Sequence, residues 1–171
     1  MIDTEQLRAF KCPTWASLPE IELYMDQVLT LVSKHFGMFS GADSVTASMI
    51  NNYVKAGVVP SPIKKRYGKE HICRIFVICV LKRVLSISQI SRLLAGLSDG
   101  MDAEQVYTLF CSELDRAVGY ISGILSGEGT AYSAETDKTG PGLALQCAVD
   151  AFANCILADV ILQDPGEEKE E

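Results

Sequence analysis

The chain has 171 residues, 48% of them hydrophobic and 22% charged, a balance that excludes an intrinsically disordered chain and suits one ordinary domain or two small ones. The formal net charge is −7, yet nine Lys or Arg fall between Gly41 and Gly96 against two acids, Asp43 and Glu70, so that stretch carries +7 and the remainder −14. No uninterrupted apolar run reaches the roughly 18 residues of a membrane span, and MIDTEQLRAF carries acids where an export signal is apolar, which points to a cytoplasmic protein without membrane contact.

Residues 1–16 read as a lead-in with at most a short helical turn. Ser17 and Glu20 in SLPE form a capping-box pattern with Pro19 in the first turn, which predicts a helix from there, with Tyr24, Val28, Leu31 and His35 or Phe36 on one side and Gly37 as its stop. Thr46 then caps a second helix that ends at Gly57. Its apolar residues Met49, Ile50, Tyr53 and Val54 fall on one side, and Ser48, Asn51, Asn52 and Lys55 on the other. The following VVPSPIKKRYG holds two prolines and a glycine, which forbids a continuing helix and predicts an extended turn or small wing carrying the basic residues.

From Lys69, the stretch KEHICRIFVICVLKRVL is apolar nearly all round at its centre, where periodicity does not separate a buried strand from a buried helix; its length and the absence of Gly or Pro at either end favour the helix. Ser86 and Gln89 form a second capping box that opens a helix through Ile90, Leu93, Leu94 and Leu97. Basic residues thin out beyond it, marking a boundary near residue 99. A long helix over 102–126 then carries Phe110, Leu114, Ala117, Ile121 and Ile124 at heptad spacing, which suits packing along another helix. Residues 127–142 read as a long loop, and 143–163 as a last helix with Leu145, Val149, Phe152, Ile156 and Val160 on one face; DPGEEKEE, 164–171, is a solvated acidic tail.

The six cysteines, Cys12, Cys73, Cys79, Cys111, Cys147 and Cys155, form no CxxC pair and stand mostly among apolar neighbours, so reduced core thiols are expected rather than disulfides or metal ligands. His35 and His71 have no framed partner, and no GxSxG, HExxH or glycine-rich phosphate loop occurs. Neither an enzyme nor a bound cofactor is expected.

The block INNYVKAGVVP, Ile50–Pro60, followed by RYGKEHI and VLSISQISRLL, resembles in order and spacing the winged helix-turn-helix of MerR-type bacterial regulators. Asn51 and Asn52 stand where that family carries Arg and Tyr, Val54 where it carries Glu, and Val84 where it carries Gly. LYMDQ, MINNYVK and VLSISQI also resemble an uncharacterised bacterial family, grouped as a domain of unknown function with a MerR-like N-terminal half. The resemblance implies an all-α fold with a small wing: residues 17–98 as a MerR-like DNA-binding domain, 99–163 as a helical hairpin that dimerises or senses a signal.

Double-stranded DNA is the implied partner of a transcriptional regulator, with Thr46, Ser48, Asn51, Asn52, Tyr53 and Lys55 on the reading helix and Lys64, Lys65, Arg66, Tyr67 and Lys69 on the wing. An Asn amide pairs with both N6 and N7 of adenine, whereas Lys and Arg grip phosphate without reading sequence. Asn51 and Asn52 are adjacent, so at most one faces the bases squarely. Homodimerisation through the helices after residue 102 is expected, and packing of those helices on each other is its alternative. A helical protein-interaction module that keeps the fold without binding DNA is the alternative function.

Overall fold

A computed structural model describes residues 2, 4–40, 45–128 and 138–163; the acidic tail and most of the expected 127–142 loop lie outside the described residues. Among the described residues seven helices run in the order α1 (Thr4–Ala9), α2 (Met25–Ser40), α3 (Ala47–Lys55), α4 (Lys69–Leu81), α5 (Ile87–Ser98), α6 (Ala103–Ser126) and α7 (Gly140–Leu162), with one 3₁₀ turn at Trp15–Ser17. Among the described residues no strand forms, only two isolated antiparallel bridges, Leu23 with Tyr67 and Ile63 with Arg66. The fold is all-α, as expected from the resemblance and from the elements read along the chain.

Helix α4 is apolar on every side because it is surrounded: α2, α5, α6 and α7 all pack against it. Ile72, Ile75, Phe76, Ile78 and Leu81 are fully buried there. A single buried cluster extends from Leu7 to Ile156 and joins residues on both sides of Asp99. Burying each side chain of this size stabilises the fold by roughly 1.5–3 kcal/mol relative to leaving it in water.

The caps behave as their residue types dictate. Thr46 accepts from the Met49 N–H at 3.3 Å. Ser86 and Gln89 close a reciprocal box, Gln89 N to Ser86 Oγ at 3.3 Å and Ser86 N to Gln89 Oε1 at 2.8 Å. Asp102 and Gln105 do the same at the start of α6, at 2.8 and 3.0 Å. Gly57 and Gly127 follow α3 and α6 with φ of 72° and 70°, the left-handed conformation in which glycine ends a helix without a Cβ clash.

The start of α2 departs from expectation. Ser17 lies in the 3₁₀ turn, its hydroxyl donating to the Thr14 carbonyl at 2.8 Å, and no helix begins at Ser17–Glu20. Leu23 is claimed by tertiary pairing instead: its N–H donates to Tyr67 O at 2.9 Å and its carbonyl accepts from Tyr67 N at 2.8 Å. The helix opens only afterwards, where Gln27 accepts from the Tyr24 N–H at 2.9 Å. Nor does Gly37 stop it; α2 runs on to Ser40 because Phe36 and Phe39 are core residues. Phe39 meets Phe10 at 4.9 Å and Phe152 at 5.4 Å between ring centroids, a gain that exceeds the roughly 1 kcal/mol cost of an internal glycine.

Helices α6 and α7 form the expected hairpin. The heptad residues Phe110, Leu114, Ala117 and Ile121 are buried, and Ile124 is exposed; α6 packs on α1, α4, α5 and α7, so that stripe is occupied within the chain. The buried carboxylate of Glu113 pairs with Arg116 at 3.1 Å and with Lys138, and Arg116 reaches Asp150 of α7 at 2.5 Å. Helix α7 has the length and mean hydropathy, 1.7, of a membrane-crossing helix. Here Leu145, Val149, Phe152 and Ile156 face the core, while Asp159 pairs with Arg83 at 2.6 Å. Cys12, Cys73, Cys79 and Cys111 are buried, whereas Cys147 and Cys155 lie exposed on α7.

Candidate nucleic-acid interface

Helix α3 divides along its length as its sequence divides. Ile50 and Tyr53 are buried, and Ser48, Asn51, Asn52 and Lys55 stand exposed on the opposite side, since residues three and four apart share a helix face. Thr46 is exposed but its hydroxyl is engaged in the cap. Tyr53 was expected on the interface; its ring is only 5% exposed, and burial pushes its phenol pKa up. Its carbonyl also accepts from Val58 N at 3.0 Å and Val59 N at 3.3 Å, which turns the chain out of α3 into the wing. Tyr53 seats the face rather than forming it.

The segment expected to be a wing forms a two-residue hairpin. Ile63 and Arg66 exchange both backbone hydrogen bonds, at 3.2 and 2.9 Å, and the two residues between them, Lys64 and Lys65, have φ of 51° and 63°. Positive φ at both central positions is the signature of a type I′ turn, which Asn-Gly adopts readily and an L-residue with a long side chain adopts only at a cost. Two exposed ammonium groups therefore occupy the tip of a strained turn.

The hairpin is fastened at several points. Tyr67 pairs with Leu23 through its backbone while its ring is 3% exposed, so this second tyrosine also lies in the core rather than on the expected interface. His71, in the first turn of α4, accepts the Gly68 N–H on Nδ1 at 3.1 Å, which leaves the neutral ring's proton on Nε2 to donate to the Ser61 carbonyl at 3.3 Å. Arg74 donates to the Val58 carbonyl at 3.4 Å. The Arg66 guanidinium lies 5.5 Å from the Tyr24 ring centroid and donates to its hydroxyl at 3.4 Å. Local sequence carries no signal for these supports, apart from His71 standing three residues after Gly68.

Charge is distributed unevenly among the basic residues. Lys69, expected on the wing surface, is half-buried: it pairs with Glu20 and lies 5.5 Å from the Trp15 ring centroid. Arg74 pairs with Glu70 at 3.4 Å and Arg83 with Asp159. Among the described residues, Lys11, Lys34, Lys55, Lys64, Lys65, Arg66 and Arg92 form no ion pair, and four of these seven, Lys55, Lys64, Lys65 and Arg66, belong to α3 and the hairpin. The structure thus gathers Ser48, Asn51, Asn52 and Lys55 on one helix face and Lys64, Lys65 and Arg66 on one turn. It moves Tyr53, Tyr67 and Lys69 into supporting contacts.

No group of three or more His, Cys, Asp or Glu gathers to hold a metal ion among the described residues. Neither the curated proteins nor the solved structures contain a match to the chain. A family does match over residues 13–110, from the segment before the 3₁₀ turn through α3, the hairpin and α5 into α6, in line with the expected likeness to an uncharacterised domain family. Since that match covers more than half of the sequence, the chain belongs to the family described as Domain of unknown function (DUF1836).

Proposed function

We propose that the protein is a cytoplasmic transcriptional regulator that binds double-stranded DNA in the manner of MerR-like winged helix-turn-helix proteins. The observation that carries this reading is the hairpin tip: Lys64 and Lys65, both in left-handed backbone conformation, exposed, and without an acidic partner among the described residues. An acidic protein approaches a polyanion only through a locally positive surface, and a strained turn that projects two cations is more readily kept for contact than for stability. In this mechanism Lys64, Lys65 and Arg66 grip phosphate, and Ser48, Asn51, Asn52 and Lys55 meet base edges or the backbone beside them. The amide of Asn51 or Asn52 supplies the discrimination.

Pairing of two copies belongs to this reading, because a dimer reads two half-sites one helical turn apart. The heptad stripe of α6 is occupied by the chain's own core, so pairing uses other surfaces of α6 or α7.

Fluorescence anisotropy of the full chain against random-sequence and genomic duplexes, at several salt concentrations, tests the proposal. Four phosphate contacts from Lys55, Lys64, Lys65 and Arg66 correspond to a log–log salt slope of about −3.6 per copy. Absence of binding at low salt, or affinity indifferent to salt, overturns the reading. Changing Lys64, Lys65 and Arg66 together to Glu separates it from the interaction-module alternative: DNA retention is lost in the first case, and capture of a protein partner persists unchanged in the second.

A further inference from the structure

The four buried cysteines are of two kinds. Burial pushes the thiols of Cys73 and Cys79 up to about 12, and among the described residues neither has another thiol in hydrogen-bonding contact, so both are inert packing residues. Cys12 and Cys111, 99 positions apart in sequence, place their sulfurs 3.0 Å from each other, with the Cys12 thiol donating. That separation is about 1 Å longer than a disulfide bond.

The pair is held from both sides. Tyr107, Cys111 and Asp115 follow at intervals of four along α6 and so share one face. Asp115 accepts the Cys12 backbone N–H at 2.7 Å, and the Tyr107 hydroxyl donates to the Pro13 carbonyl at 2.7 Å. The segment around Cys12 is thus fixed against α6 by contacts that do not involve sulfur. The donated S–H stabilises a thiolate on Cys111, holding its pKa below the usual thiol value, while the same hydrogen bond raises that of Cys12. Cys111 is also the more exposed of the two, at 9% against 4%.

We propose that Cys12 and Cys111 form a peroxide-sensitive dithiol that closes into an intrachain disulfide and locks the N-terminal segment onto α6, however α3 and the hairpin are used. The Cys111 thiolate attacks one oxygen of hydrogen peroxide, the O–O bond breaks, and the departing hydroxide takes up a proton to become water. Cys12 sulfur then attacks the resulting sulfenic acid sulfur; the S–O bond breaks, and the hydroxide leaves with the Cys12 proton as a second water. Two thiols and one peroxide give one disulfide and two waters, the sulfurs supplying both electrons.

The test is a peptide map of the full chain after exposure to hydrogen peroxide, with remaining thiols alkylated in denaturant and digestion carried out without reduction. The expected product joins the Cys12 peptide to the Cys111 peptide, two mass units below their sum, with Cys73 and Cys79 alkylated as before. The product disappears in Cys111→Ser. Should that variant fail to fold, the wild-type map still decides, and the thermal midpoint of the oxidised chain supplies a second measurement. It rises by about 5 °C or more and returns on reduction, because the bond closes a loop of about 100 residues in the unfolded chain. Full alkylation of Cys12 and Cys111 under conditions that oxidise the exposed Cys147 and Cys155, or Cys111 ending as an uncoupled sulfinic acid, overturns the proposal.

Discussion

On the proposed DNA-binding reading, replacing Lys64-Lys65 by Asn-Gly moves stability and DNA affinity in opposite directions. The φ angles of 51° and 63° place both lysines in a region that costs an L-residue about 1–2 kcal/mol. Asn relieves part of that cost and Gly nearly all of it, so the variant gains about 1–2 kcal/mol in total. For a chain of this length the thermal midpoint rises by about 2–6 °C. The same change removes two cations from the tip, which makes the salt slope shallower by about 1.8 and weakens DNA binding about 30-fold at 0.15 M salt. Thermal melts by circular dichroism read the first quantity and anisotropy at four salt concentrations reads the second. Lys64→Gln with Lys65→Gln is the control, since it removes the charges and keeps the strain: affinity falls and the midpoint does not rise. A midpoint that fails to rise in the Asn-Gly variant refutes the strain argument, and an unchanged salt slope refutes phosphate contact by these lysines.

Asn51→Ala and Asn52→Ala, made separately, leave the thermal midpoint within about 1 °C because both side chains are exposed, while one of the two costs about 1–3 kcal/mol in preference for a cognate over a mismatched duplex. Ser86→Ala removes the cap of α5 and lowers stability by about 1 kcal/mol in urea titration, without altering the DNA salt slope. Gly96→Ala is destabilising despite the better helix propensity of alanine, because the added Cβ stands 2.8 Å from Pro141 Cγ where α5 crosses the start of α7; a raised urea midpoint would contradict that crossing. Burial holds the His35 pKa below its ordinary 6.5, with the Lys34 charge adding to the effect. The unfolded chain therefore binds this proton first as pH falls, and stability declines from about 6.5 downward until the folded-state pKa is passed. His35→Gln makes the fall in urea midpoint between pH 7.5 and pH 5.5 smaller than in the wild-type chain.

What the sequence discloses about this fold is local. Thr46 and Ser86 cap helices because a short oxygen-bearing side chain meets its own backbone three residues on, a contact independent of the rest of the molecule. The polar and apolar sides of α3 are legible from spacing alone, whereas the heptad spacing of α6 leaves pairing with a second copy and packing on α7 as alternatives. The SLPE pattern misleads because its competitor lies more than 40 residues away, in the Tyr67 backbone that takes up Leu23. Among the interface residues the polar ones on α3 and the turn are exposed as anticipated, whereas Tyr53 and Tyr67 are not: an aromatic at a helix boundary or a strand end satisfies the core or the surface equally well by pattern. The pairing of Lys69 with Glu20, and the meeting of Cys12 with Cys111, depend on how the N-terminal segment folds back over α6, for which no periodicity exists.

The fastening of the hairpin to Leu23, His71 and Arg74 has a thermodynamic consequence. A loop of Pro, Ser, Ile and Lys hanging free would surrender much of its motion on meeting any surface, and that loss would be subtracted from every contact it made. Here the chain bears most of that loss when it folds, so calorimetry of an encounter should record little ordering on the protein's side. The adjustment of shape then falls to the visitor, which must already fit the fastened turn or bend to do so.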